Sequence, residues 1–178
     1  MTEFEKPVKK AAVLVPIYRR DDGDLQLILI RRSSGGIHGN QLAFPGGKVE
    51  PQDRSMRETA LRETQEEIGI TSDKIQILAA LPLVDTKTTG FRISPFLARI
   101  IPPNTWNRQA REVAEIVEVR VGDLARPEAH GHEEKHFPTW SAPRQTPVYR
   151  VGLYQIWGAT YRILQPLIPR LLAGEWQV

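Results

Sequence analysis

Two apolar runs near the start, "AAVLVPIYRR" and "LQLILIRR", are separated by "DDGD", a turn signal containing Asp-Gly. The pattern predicts a β-hairpin. A polar, glycine-bearing stretch, "SSGGIHGNQ", follows, and the short run "LAF" leads into Pro45-Gly46-Gly47. Ser55 to Glu58 has the form of a capping box, with Asp53 as a competing N-cap, and Gly69 sits where a C-terminal cap belongs. The helix between them should place Leu61 and Ile68 on one side. At about 100° per residue, Glu63, Glu66 and Glu67 fall within an arc of roughly 100° on the other. A core face and a separate acidic face are expected.

Beyond that helix, "IQILAALPLV" and "FRISPFLARI" read as strands joined by the polar turn "DTKTTG", and "EVAEIVEVRV" alternates as a half-buried strand does. The Pro-, His- and charge-rich stretch from Pro127 to Pro147 reads as a long loop. "LYQIWGATYRILQPLIPRLL" predicts a closing helix whose last part is broken by Pro166 and Pro169. With no repeat or linker to divide it, residues 1–178 read as one α/β domain around a mixed sheet.

Composition narrows the function classes. At 178 residues, 40% hydrophobic and 25% charged, the chain suits one globular domain and not a disordered or fibrous protein. The absence of cysteine excludes a disulfide framework, a thiol nucleophile and a zinc-thiolate site, and it fits a cytoplasmic location. "AAVLVPIY" is short and interrupted by Pro16, so a first strand is expected there in place of a signal peptide. No run approaches the roughly 20 apolar residues of a membrane span, so no membrane partner is expected. The net charge of +3 favours small anionic ligands; without a basic run interleaved with aromatics, no nucleic-acid partner is expected. Oligomeric state stays open between monomer and homodimer.

The acidic face is the candidate chemistry. Like charges so close on one helix repel, and by itself Glu-x-x-Glu-Glu is more often a solvated surface. A glycine turn just upstream changes that reading, because clustered carboxylates beside an exposed backbone carbonyl suit a hard divalent cation. The stretch 47–70 resembles the Nudix box, G-x5-E-x7-R-E-U-x-E-E-x-G-U with U apolar. Gly47 is its first glycine, Arg62-Glu63 the Arg-Glu pair, Glu66-Glu67 the acidic pair, and Gly69-Ile70 its end. Asp53 stands in place of the first glutamate, one extra residue precedes Arg62, and Thr64 takes the apolar position.

Those departures resemble the coenzyme A pyrophosphatase branch, which carries an Asp before a "TALRE" segment such as Thr59 to Glu63. Arg31, His38, Gln41, Leu42, Phe44, Pro45 and Gly46 match that branch's upstream signature, whereas Gly35, Gly36 and Asn40 depart from it. The resemblance implies a Nudix fold, an αβα sandwich around a mixed sheet. It implies Mg2+ or Mn2+ held by the Gly47 carbonyl with Glu63, Glu66 and Glu67. Glu66 or Glu63 would serve as base, with Arg62 bracing the carboxylates by bidentate pairing, Asp53 being one partner. Arg31, His38 and Gln41 would meet the substrate. Glu112, Glu115, Glu133 and Glu134 are further candidates for the base, although each alone reads as a surface carboxylate. The four tryptophans are expected mainly as core or surface anchors.

The activity implied is cleavage of the pyrophosphate of coenzyme A or acyl-CoA to 3′,5′-ADP and (acyl-)4′-phosphopantetheine. The alternatives are a Nudix pyrophosphatase for ADP-ribose, dinucleotides or damaged nucleoside triphosphates, and a non-catalytic nucleotide-sensing module.

Overall fold

The computed structural model describes residues 8–35, 39–86, 89–138 and 140–178. The two leading apolar runs form the expected hairpin. β1 (Lys9–Arg19) and β2 (Leu25–Arg32) pair antiparallel, with Ile17 opposite Leu27. β3 (Leu42–Ala43) adds to β2, and β4 (Gly46–Lys48) lies against β1 with Gly47 opposite Ala12. Then come α1 (Met56–Ile68), β5 (Ile75–Ala80), β6 (Val84–Asp85), β7 (Phe91–Ile100), β8 (Val113–Arg120) and the single turn α2 (Val121–Leu124). β1 and β7 run parallel while the other pairings in this sheet are antiparallel, so the sheet is mixed.

The central strands are buried on both faces. β1 turns Ala12 and Leu14 toward Ala60 of α1, and Val15 and Ile17 toward the opposite cluster. β2 likewise sends Ile28 and Ile30 to Ile68, and Leu27 and Leu29 to the other side. Neighbouring residues on a strand face opposite ways, so a strand covered on both faces is apolar at nearly every position. That is why these two runs show no alternation.

The chain ends with β9 (His130–Lys135), β10 (Arg144–Val151), β11 (Tyr154–Ile156) and α3 (Gly158–Leu172). Leu164 and Leu167 of α3 close the second cluster, so α1 and α3 flank the sheet as an αβα sandwich. No helix among the described residues is long and apolar enough to cross a membrane.

Three expectations are corrected here. The stretch from Pro127 to Pro147 is not one long loop: β9 and the first half of β10 lie in it, and with β11 they form a second antiparallel sheet. β9 is polar along its length because half its residues stay in solvent, and its backbone partners come from β10. Tyr154–Ile156 is strand where helix was expected. Finally, α3 runs unbroken through Pro166 and Pro169. Each proline removes the hydrogen bond to the carbonyl four residues earlier; those carbonyls belong to Arg162 and Gln165 on the exposed side, where the loss costs least.

The N-terminus of α1 is built as its sequence foretells. The Ser55 hydroxyl accepts from the Glu58 N–H (3.1 Å), and Gly69 closes the far end at φ +76°. Asp53, the competing cap, is used elsewhere. It accepts from the Glu50 N–H, from the Thr59 hydroxyl, and from Arg62 Nε and Nη2, each at 2.9 Å. The bidentate Arg62 pair is the main reason the Asp53 carboxyl sits well below the usual carboxylate range. Together these bonds pin the loop before α1 onto the helix's second turn.

Gly46 is required by both backbone shape and space. Its φ is +153°, and a Cβ there would fall 2.6 Å from Val13 Cα and closer still to the Ala12 carbonyl. Gly46→Ala is expected to destabilise the fold by about 2–4 kcal/mol in urea unfolding, through strain and overpacking against β1. Asp53→Asn is expected to cost about 2–3 kcal/mol at pH 7. Because the folded-state pKa of Asp53 is depressed, its contribution is full above the unfolded value of about 3.9 and fades as pH falls below it. The gap between wild type and Asp53→Asn should therefore stay level from pH 5 to 8 and shrink by about 1 kcal/mol at pH 3. An unchanged gap at pH 3 would assign the loss to packing.

Candidate active site

Glu63, Glu66 and Glu67 all line one cleft of about 680 Å³, together with Gly46 and Gly47 of β4. The acidic residues do not share one exposed face. Glu67 lies on the buried side of α1 with Ala60 and Thr64 and is only 2% exposed. Thr64, at the position expected to be apolar, satisfies its hydroxyl by donating to the Ala60 carbonyl (2.7 Å).

Each carboxylate has a different environment. Glu67 Oε2 accepts from the Gly46 N–H (2.8 Å), yet burial pushes its pKa up to about 8, with Glu63 and Glu112 adding to the rise. The Gly46 hydrogen bond and the charge of Arg32 work against that rise without cancelling it. Glu63 is half-buried, and burial raises its pKa against the pull of Arg62. Its carboxylate packs on Gly47 so closely that a Cβ there would lie 2.7 Å from Oε2 and nearer still to Oε1. Glu66 stays exposed. Arg62 Nη1 donates to Glu63 (3.0 Å) and Glu66 (3.3 Å), and Nη2 to the Lys48 carbonyl (3.1 Å), in addition to the Asp53 pair.

These are oxygen donors of the kind a hard divalent cation takes. Among the described residues, no three acidic or histidine side chains already converge on one point. Glu63 and Glu66 are turned to Arg62, and Glu67 to the Gly46 N–H. The fit to a cation rests on Glu67: a carboxylate this buried lacks enough positive charge around it to stay ionised easily, and a cation would supply it.

Of the other acids, Glu112 alone among Glu112, Glu115, Glu133 and Glu134 is a described lining residue of the cleft. Glu115 accepts from Arg31 (3.1 Å) and from the Tyr154 hydroxyl (2.6 Å), the hydroxyl bond doing most to lower its pKa. Glu133 pairs with Arg150 (2.8 Å), and Glu134 is exposed on β9. Gln41 lines the cleft. Arg31 binds Glu115 and the Asn40 side chain (3.2 Å), and it is the adjacent Arg32 that lines the cleft. Arg32 follows Ile28 and Ile30 on the face that α1 covers, and a bulge shifts the register with β8 between Arg31 and Arg32. His38 and Gly36 lie outside the described residues.

Asn40 is in the left-handed region, at φ +62°. Asparagine tolerates that conformation better than other non-glycine residues. Asn40 thus takes a backbone shape that glycine adopts freely.

The NUDIX domain pattern matches residues 8–142. The uncharacterized Nudix hydrolase NudL of Salmonella paratyphi B is 35% identical over 173 residues, which span 94% of this chain and 85% of that protein. Among solved structures, a MutT protein from Methanosarcina mazei Go1 aligns over 96% of this chain and 99% of its own, with a TM-score of 0.60 at 19% identity. A C. elegans Ap4A hydrolase binary complex aligns over 65% and 82%, with a TM-score of 0.55 at 25% identity. With the family pattern spanning the sheet, the glycine turn and the acidic helix, and a relative alike along nearly its whole length, the chain belongs to the Nudix hydrolase family.

Proposed function

We propose that this Nudix hydrolase, residues 1–178 acting as one domain, splits the pyrophosphate linkage of coenzyme A or an acyl derivative, with Mg2+ or Mn2+ as cofactor. The observation that carries the hydrolase chemistry is that Glu63, Glu66 and Glu67 line the same cleft as the Gly46–Gly47 turn. Nudix hydrolases generally use divalent metal ions. Bound there, such ions would neutralise phosphate oxygens and lower the pKa of the attacking water. The Gly47 carbonyl, Glu63, Glu66 and Glu67 are the proposed ligands.

Arg62 is a positioning residue. All three of its nitrogens are engaged, so it fixes the rotamers of Glu63 and Glu66 and does not reach substrate. Arg32 and Lys48 line the cleft and supply positive charge for phosphate oxygens. Glu66 is the most exposed of the three glutamates and is the proposed acceptor of the water's proton, with Glu63 beside it. Glu112 faces the same cleft from the turn before β8. Gln41 and His38 are the proposed substrate contacts of the preceding loop, which Arg31 braces through Asn40.

Support for the coenzyme A branch comes from the spaced-out box and from two details of it. Asp53 meets Arg62 across the extra residue, and Asn40, at the signature position it alters, takes a backbone shape that glycine adopts freely. A second reading, hydrolysis of a dinucleotide or ADP-ribose, is favoured by the likeness to the Ap4A hydrolase fold.

Coenzyme A, ADP-ribose, NADH and nucleoside triphosphates offered with Mg2+ or Mn2+ test both. Fastest turnover of coenzyme A to 3′,5′-ADP is expected, with kcat lowered at least about 100-fold in Glu67→Gln. Turnover without metal, or unchanged in Glu67→Gln, would sink the hydrolase chemistry as assigned, whereas a preference for ADP-ribose would remove only the coenzyme A assignment. Gly47→Ala should leave thermal stability within about 1 kcal/mol, because the clashing carboxylate of Glu63 can swing away. The same swing should weaken the apparent metal affinity roughly tenfold in a Mg2+ titration of activity.

A further inference from the structure

The cleft that holds the acidic cluster has a second, chemically different region. Phe137 and Trp140, after β9, and Trp157, at the start of α3, bring three rings together in the same cleft. Trp140 and Trp157 centroids lie 6.4 Å apart at 70°, and Phe137 lies 6.1 Å from Trp140 and 6.3 Å from Trp157. Phe137 is buried beneath the pair, whereas both indoles are half-buried and line the cleft. A group built only to fill the core would hide its indoles; this one presents them to the space that substrate must enter.

Two cations meet the rings: Lys135 Nζ lies over Trp157, 5.7 Å from its centroid, and the second is Arg144, the first residue of β10. Its guanidinium lies over the Trp140 ring, 5.1 Å from the centroid. Arg144 has no carboxylate partner among the described residues, although it too lines the cleft. A guanidinium has only donors to offer, and indole faces favour flat, polarisable rings. The ligand group that uses both is planar, aromatic and edged with acceptors. An aliphatic acyl chain would gain burial there but nothing from the guanidinium, and the flexible pantetheine arm, although its amide carbonyls could accept from Arg144, has no flat face for the indoles.

We infer that Trp140, Trp157, Phe137 and Arg144 form a nucleobase subsite, which seats the base of a nucleotide whose phosphates lie at the acidic helix. The assignment rests on reading the cleft as that of a nucleotide pyrophosphatase, and it sets the direction in which substrate lies. The base is directed toward the second sheet and the non-nucleoside half toward the opposite end of the cleft. Trp140 and Arg144 are then specificity-determining residues, contributed by a segment 72 residues or more beyond the end of the acidic helix (140 − 68).

The test uses three probes on the full chain in the presence of Mg2+: AMP, inorganic pyrophosphate and 4′-phosphopantetheine. Binding is followed by tryptophan fluorescence and by calorimetry, for wild type, Trp140→Ala, Trp140→Phe and Arg144→Ala. Stacking of a base on an aromatic side chain predicts that Trp140→Ala weakens AMP at least about fivefold relative to pyrophosphate, with Trp140→Phe recovering most of the loss. Arg144→Ala, an exposed change that leaves the rings in place, should weaken AMP in the same selective way. Equal losses for AMP and pyrophosphate, no loss for AMP, or a loss confined to 4′-phosphopantetheine would each overturn the subsite. A selective AMP loss in a protein that turns over none of the pyrophosphate substrates would keep the subsite and remove the hydrolase reading instead.

Discussion

The guanidinium of Arg62 joins three parts of the molecule that would otherwise repel or drift. It grips Asp53 with two parallel bonds, holds the Lys48 carbonyl, and reaches Glu63 and Glu66 on its own helix. A planar fork with five donors can make these five bonds; a lysine, with three donors on one nitrogen, could not. The like charges on α1 are thus offset in two ways. Glu63 and Glu66 share one cation, while Glu67 is sequestered from them and biased toward its protonated form by burial. The repulsion that would unsettle an isolated helix becomes tolerable only once the loop before it has folded back.

Two adjacent glycines divide the work of bringing that helix to the sheet. Gly46 is where β4 touches the backbone of β1, so its missing side chain is a condition of the fold. Gly47 is where β4 touches the Glu63 carboxylate, so its missing side chain is a condition of the site. The Gly46 N–H then holds Glu67. One dipeptide therefore sets both the distance of α1 from the sheet and the position of two of its acids.

Much of this was legible from residue order. The caps at Ser55 and Gly69 and the first hairpin follow from local rules about donors and turns, and the Asp53–Arg62 pair from the resemblance to the Nudix box. What stayed hidden depended on neighbours distant in sequence. β9 has no apolar pattern because β10, and not the core, gives it partners. Glu67 reads as one acid among three until the sheet covers it. Arg31 and Arg32 are equivalent as letters, and the cleft takes Arg32 because it follows Ile28 and Ile30 on the face that α1 covers, which shows only once the helix is docked. The prolines of α3 look like breaks, yet both fall on its exposed side, where a helix can lose the bonds they delete.

The parallel pairing of β1 with β7 joins Lys9 to Phe91 and Ile17 to Arg99, a separation of 82 residues in each case (91 − 9 and 99 − 17). Everything that makes the acidic cluster, from the glycine turn through α1, lies inside that closed loop. Long-range pairings of this kind form late, because chain entropy must be surrendered before their contacts can compensate. On a ribosome, β1 emerges about 80 residues before its permanent neighbour and must wait with one edge unmatched. The interior strand that anchors the molecule therefore also keeps one edge open through much of its synthesis, and the acidic helix reaches its final bed only after more than half the chain has been made.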